Sequence, residues 1–265
     1  MATFGDEDLG GSTFDWTNLS GSTFRAASLS NVTIRGTDLH HVKMTGVELI
    51  DVDISGEIEG LRINGVDVTQ FVADEMDRRN PDRIKMRPDD PAGFREAWDL
   101  LEDLWAGTVE HARHLDPALL HERVDDEWSF IETLRHLNFA TAAWIGRAID
   151  GESAPWHPLD RPWDEAPTDR GFPRDLDARP MLDEVLEIRR ERQAAVRRVI
   201  DSLTDEALAA PFRPPADDGG WPTPAYELTV KDCLRIVLNE EWEHRQYAER
   251  DLAQLRQRAP GGDAG

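Results

Sequence analysis

Glu240 and His244 stand four residues apart in a stretch with helical spacing of apolar residues, so both side chains leave one face of a helix. His136 lies in an earlier helical stretch, with the small residues Thr133, Ala140 and Ala143 on its side, which leaves room beside the imidazole. Two imidazoles and one carboxylate suit Zn²⁺, Ni²⁺ or Fe²⁺ and leave positions open for water or substrate. A Glu–His pair at this spacing also makes an ordinary surface ion pair. Glu241 competes with Glu240 as the ligand because it falls nearer the middle of the apolar stripe. Tyr247 and Asp251 follow the same edge, where they would either orient a ligand from behind or simply pack and pair.

Four amphipathic segments must position these groups. The first opens with Asp90 as N-cap and Pro91 at the first helical position, then places Phe94, Trp98, Leu101, Trp105, Val109 and Ala112 at helical spacing. The second opens with the capping box Ser129-x-x-Glu132 and runs to Gly151. The third spans roughly Met181 to Leu203 and is rich in arginine. The fourth opens at Thr229-x-x-Asp232 and carries Leu234, Val237, Ala248, Leu252 and Leu255 on one face. The connection between the second and third is long and rich in Pro and Trp, which predicts a crossover and an up-down-down-up four-helix bundle.

Helix heights then decide whether the three polar groups meet. His136 falls about 10 Å into the second helix, and the midpoint of Glu240 and His244 falls about 20 Å into the fourth, at 1.5 Å per residue. Antiparallel helices of about 33 Å bring them level to within about 3 Å, whereas parallel helices miss by about 10 Å. The crossover topology is the one that assembles the triad.

Other chemistry-bearing residues are weaker candidates. His111 and His114 lie at a helix C-terminus, where the dipole favours imidazolium. Cys233 is on the Glu240/His244 side of the fourth helix, either as a small buried thiol or as a nucleophile. Most of the nine tryptophans read as core, but Trp156, Trp163 and Trp221 lie in long connections and either pack there or close the mouth of a pocket.

A different rule governs the chain before residue 70. Every fifth residue from Phe4 to Ile54 is large and apolar: Phe4, Leu9, Phe14, Leu19, Phe24, Leu29, Ile34, Leu39, Met44, Leu49, Ile54. A period of five fits neither helix nor flat strand. It predicts a chain that turns a corner every five residues around a narrow square core, with the phase slipping by one at Ile58, Ile63 and Val68. The expected organisation is a β-helical coil over 1–70, a linker over 71–90 with a short helix near Val72–Arg78, the bundle over 91–256 and a disordered tail over 257–265.

Acids outnumber bases 53 to 30 in the 265 residues, a formal net charge of −23, which argues against nucleic acid or an anionic membrane as direct partner. One cysteine excludes a disulfide framework, and no basic-then-apolar leader or long apolar run is present in the sequence, so a cytoplasmic protein is expected.

The period-five run resembles the pentapeptide-repeat family of right-handed four-sided β-helices, some of which are acidic mimics of duplex DNA. Fewer than three turns suit a scaffold or a dimer surface better than a long rod. Asp126-Glu127-Trp128-Ser129-x-x-Glu132 with His136-Leu137, and Asn239-Glu240-Glu241-Trp242-Glu243-His244-Arg245, resemble the helix-two and helix-four signatures of DinB-like proteins. That resemblance implies a four-helix bundle and a divalent metal held by His136, Glu240 and His244, with Glu240 standing where the usual pattern has histidine. It also implies use of a low-molecular-weight thiol, such as mycothiol or bacillithiol, in S-transfer or hydrolysis, with a metal-bound thiolate or water as nucleophile. The expected partners are a small-molecule substrate and a second copy of the chain. The alternative is a non-catalytic scaffold whose acidic N-terminal segment contacts a protein.

Overall fold

The structure, a computed structural model, describes residues 4–5, 7–168, 170–216 and 220–258. The chain separates into two compact units, Met1–Asp51 and Val52–Gly265.

In the first unit a residue with left-handed backbone recurs every five positions, at Gly11, Trp16, Gly21, Ala26, Asn31, Gly36, His41, Gly46 and Asp51. Each marks a change of chain direction two residues after a period-five side chain, which is the expected corner. At Gly11 and Gly21, with φ of 75° and 74°, the absent Cβ removes the cost of that conformation. The expected buried core is corrected, however. The period-five side chains from Phe4 to Ile54 are 41–63% exposed. Among the described residues of this unit the backbone–backbone hydrogen bonds are Ser12 N–H to the Leu9 carbonyl and Ser22 N–H to the Leu19 carbonyl, and no strand forms. Burial in a square coil comes from one turn stacking on the next through ladder hydrogen bonds. Without that ladder the period-five side chains stay exposed.

The second unit begins with a hairpin, β1 (Arg62–Ile63) and β2 (Val66–Asp67), paired antiparallel with Ile63 opposite Val66. Asn64 and Gly65 at its tip both have positive φ, as a tight two-residue turn requires. Ile63 therefore belongs to a hairpin and not to a continuing period of five.

The stretch 71–90, expected as a linker with a short helix near Val72–Arg78, does carry a helix there and packs beyond it. Helix α1 (Thr69–Arg79) is followed by a 3₁₀ segment, Pro81–Met86, whose Met86 is 3% exposed in the helical core. Asp77 takes ion pairs from Arg83 and Arg87, and Arg235 donates to the Pro88 carbonyl and to Asp89. The reason is that this charged stretch finds complementary charges on itself and on the last helix. Of the tail expected over 257–265, residues 257–258 instead complete the last helix and 259–265 lie outside the described residues.

Four long helices follow: α2 (Pro91–Arg113), α3 (Phe130–Thr141), α4 (Leu182–Asp201) and, after the short α5 (Asp205–Ala209), α6 (Val230–Arg258). Their starts follow the local signals. Asp90 accepts from Gly93 N–H at 2.8 Å with Pro91 in the first turn, and Ser129 and Glu132 form both halves of a capping box. Thr229 and Asp232 close a similar pair at the start of α6. A π turn, Ala142–Arg147, carries α3 onward. Two apolar clusters each draw on all four long helices: Trp98, Ala140, Ile200 and Leu234 belong to one, and Trp105, Leu134, Val185 and Leu252 to the other.

Buried arginines tie the long connections down. Arg135 donates to the carbonyls of Leu159, Asp175 and Ala178, and Arg161 donates to that of Leu176. Arg147 binds the carbonyls of Ser153, Pro215 and Pro222. A guanidinium offers five donors in a fixed fork, so one side chain satisfies several loop carbonyls that would otherwise be buried unpaired. The connections that looked irregular in sequence are thereby held against the helices.

Candidate metal centre

His136 is 8% exposed on α3, where the small residues beside it let α6 approach. Its Nδ1 lies 3.2 Å from the Arg161 carbonyl, so Nδ1 carries the proton and Nε2 presents a lone pair. That Nε2 faces Glu240 Oε2 at 3.4 Å, and His244 Nε2 reaches the same oxygen at 3.2 Å. One donor atom from each residue lies within 4.8 Å of the others. The three candidates drawn from sequence are thus together.

These residues fit a divalent cation. A bare imidazole nitrogen aimed at a carboxylate oxygen sets two acceptors against each other, an arrangement that a shared cation resolves. Two donors about 2.0–2.1 Å from one tetrahedral ion stand about 3.3 Å apart, close to the spacing of Glu240 Oε2 from each of the two imidazole nitrogens. Protonation states agree as well. Burial lowers the pKa of His136 and favours neutral imidazole. Burial alone would raise that of Glu240, but with the two imidazoles beside it the net shift is downward and the carboxyl is ionised. Neutral imidazole and ionised carboxylate are the forms that bind metal.

Glu241 is not at the centre. It is 1% exposed, as the middle of the apolar stripe implied, but it forms a bidentate pair with buried Arg189, at 2.5 and 3.2 Å. Arg189 in turn lies over the Trp105 ring at 4.6 Å. Tyr247 meets the His244 ring edge-on at 6.3 Å. Asp251 accepts from Arg250 at 2.7 Å, the ion pairing that was one of its two readings. His111 faces Glu249 and His114 faces the Glu110 carbonyl, both away from the triad. Cys233 is buried in the apolar core with its thiol pushed up to about 12 by burial, which makes it a packing residue.

Sequence reading missed Trp128 as part of the site. Its ring lies 4.5 Å from that of His136 and stacks on that of His244 at 5.8 Å and 9°. Its Nε1 donates to Asp164, and the Arg161 guanidinium sits over its face at 5.4 Å while pairing with Asp164 at 2.7 Å. Arg161 therefore holds His136 through its carbonyl and Trp128 through its side chain. The available signal was Trp128's place just before the Ser129 cap, which aims its ring along the start of α3.

A cavity of about 230 Å³ opens beside the triad, lined by Trp128, His136, Phe139, Ala140, Trp144, Trp163, Trp221, Glu240 and His244. Trp163 and Trp221 come from the long connections and do reach it. Trp156 stacks on Phe139 at 4.9 Å, behind the wall.

A helical domain with two histidines and a glutamate converging from α3 and α6, beside a small cavity, defines a protein able to hold a divalent metal. The DinB superfamily model matches residues 100–248, more than half of the chain, and the chain belongs to that superfamily. Eight copies of the pentapeptide repeat match residues 8–56. No curated protein matches the chain.

Proposed function

We propose that the helical domain is a divalent-metal-dependent enzyme with His136, Glu240 and His244 as ligands, acting on a low-molecular-weight thiol of the mycothiol or bacillithiol type by S-transfer or hydrolysis. The observation that carries the metal reading is the convergence of three donor atoms within 4.8 Å with Nε2 of His136 bare. A bound Zn²⁺, Ni²⁺ or Fe²⁺ would supply Lewis acidity that lowers the pKa of a thiol or water. The protein's own groups do the rest. Arg161 fixes the tautomer of His136, Trp128 braces both imidazoles, and the cavity admits a small molecule. Glu240 reduces the net positive charge at the centre relative to three histidines, which weakens acidification of the thiol. The long second connection and the meeting of His136 with Glu240 and His244 support an up-down-down-up order for α2, α3, α4 and α6.

Metal analysis of purified protein tests this reading. About one divalent ion per chain is expected, and His136→Ala should reduce it to near zero without loss of helicity. Metal-free protein after growth with added Zn²⁺, Ni²⁺ and Fe²⁺, or equal occupancy in the variant, overturns it.

A second reading concerns the N-terminal unit alone. Its exposed period-five apolar side chains offer a regular surface for a second copy of the chain or another protein. In that reading the unit is a contact surface and takes no part in chemistry.

A further inference from the structure

The ionisable side chains that line the cavity beside the triad are those of the triad itself. Its other walls are Trp128, Phe139, Ala140, Trp144, Trp163 and Trp221, with no lysine, arginine, hydroxyl or amide side chain among the lining residues. The indole N–H groups of two wall residues are used outside it: Trp128 donates to Asp164 and Trp221 to the Tyr226 hydroxyl at 3.1 Å. Trp221 organises the wall, 4.9 Å from Trp163, 5.0 Å from Trp144 and nearly parallel to Phe139 at 11°. These rings converge from the α3 region and from both long connections.

We infer that the cavity selects a substrate whose reactive end reaches the triad and whose adjoining group is a flat, uncharged aryl or similarly apolar body. This deepens the metal-dependent reading and rests on it for the reactive end. Indole and phenyl faces reward a flat ring by stacking and edge contacts. A carboxylate or phosphate on that body, held among the rings and away from the metal end, would be desolvated with no lysine or arginine among the lining residues to meet it. An ammonium group would be drawn to the rings, but a divalent ion against the single charge of Glu240 leaves the centre positive and disfavours a second cation.

Calorimetric titration of the full chain, with metal content measured on the same sample, tests this. The probes are 2-phenylethanethiol, 3-mercaptopropionate and thiocholine, with 2-phenylethanol as the sulfur-free control. The aryl thiol is expected to bind about tenfold or more tightly than either charged thiol. Trp221→Ala should cut that preference to about twofold with metal content unchanged, and Trp221→Phe should keep most of it. Equal affinities, or a preference for the carboxylate or the ammonium thiol, on metal-loaded protein overturn the inference and leave the metal reading standing. A metal-free protein that binds 2-phenylethanethiol and 2-phenylethanol alike, and loses both with Trp221→Ala, overturns the metal reading and leaves the aryl cavity standing.

Discussion

Adjacent carboxylates on one helix have opposite fates here. Glu240 shares an oxygen between two imidazoles, whereas Glu241 neutralises Arg189 in the core. Their substitutions should separate cleanly. Glu240→Gln is expected to abolish metal binding at little cost to stability, because no buried cation loses its counter-charge. Glu241→Gln leaves Arg189 buried and unpaired, at a cost of about 3–5 kcal/mol in urea unfolding, while the folded fraction still binds metal. Trp128 is a positioning residue by its place over both rings. Trp128→Ala should weaken metal binding about tenfold to a hundredfold in competition with a chromophoric chelator. Trp128→Phe should recover most of the loss. An unchanged affinity in the alanine variant would reduce Trp128 to packing. The i,i+4 spacing of Glu240 and His244 was legible because it is local to one helix turn. The choice between Glu240 and Glu241 was not, since neighbours project about 100° apart and only the docking of α6 against α3 and α4 decides which faces His136 and which faces Arg189.

The start of α3 is the element that delivers His136, and its cap is a charge network. Glu132 accepts from Ser129 N–H and pairs with Arg123, at 2.9 and 2.6 Å, with Arg161 at 3.5 Å. Burial works against this carboxylate, but Arg123, the Ser129 N–H and Arg161 outweigh it and hold its pKa to about 2. A carboxyl depressed on folding adds stability that is fully present above its unfolded value of about 4.5 and is lost as pH falls toward 2. Glu132→Gln should therefore cost about 1–2 kcal/mol at pH 7. The gap to the parent protein should close as the pH drops below about 4.5, as followed by thermal unfolding. A gap that stays constant with pH would mean that packing, not charge, sets the cost. Capping boxes and N-terminal proline are short-range signals, which is why the element starts at Asp90, Ser129 and Thr229 could be read directly. The π turn at Ala142–Arg147 carries no comparable local pattern.

At the scale of the molecule, two units with different periodicities share one chain. Residues 52–265 contain both apolar clusters and all three donor residues. A protein shortened to those residues should keep its helical circular dichroism and about one metal per chain. Loss of either would show that the first unit is needed for the fold of the second. If the exposed period-five face is an interface between copies, light scattering should give twice the chain mass for the full protein and a monomer for the shortened one. Among the described residues no helix is long and apolar enough to cross a membrane.

Local physics placed the helices, their caps, the five-residue corners and the pair Glu240–His244 in the sequence itself, because each depends on neighbours a few residues away. Tertiary structure alone decided the rest. It sent Glu241 to Arg189, folded 71–90 onto α6, and set Trp128, Trp163 and Trp221 around one cavity. Those outcomes depend on how helices rotate against each other and on buried arginines that gather loop carbonyls from far along the chain, and neither leaves a periodic mark in the sequence.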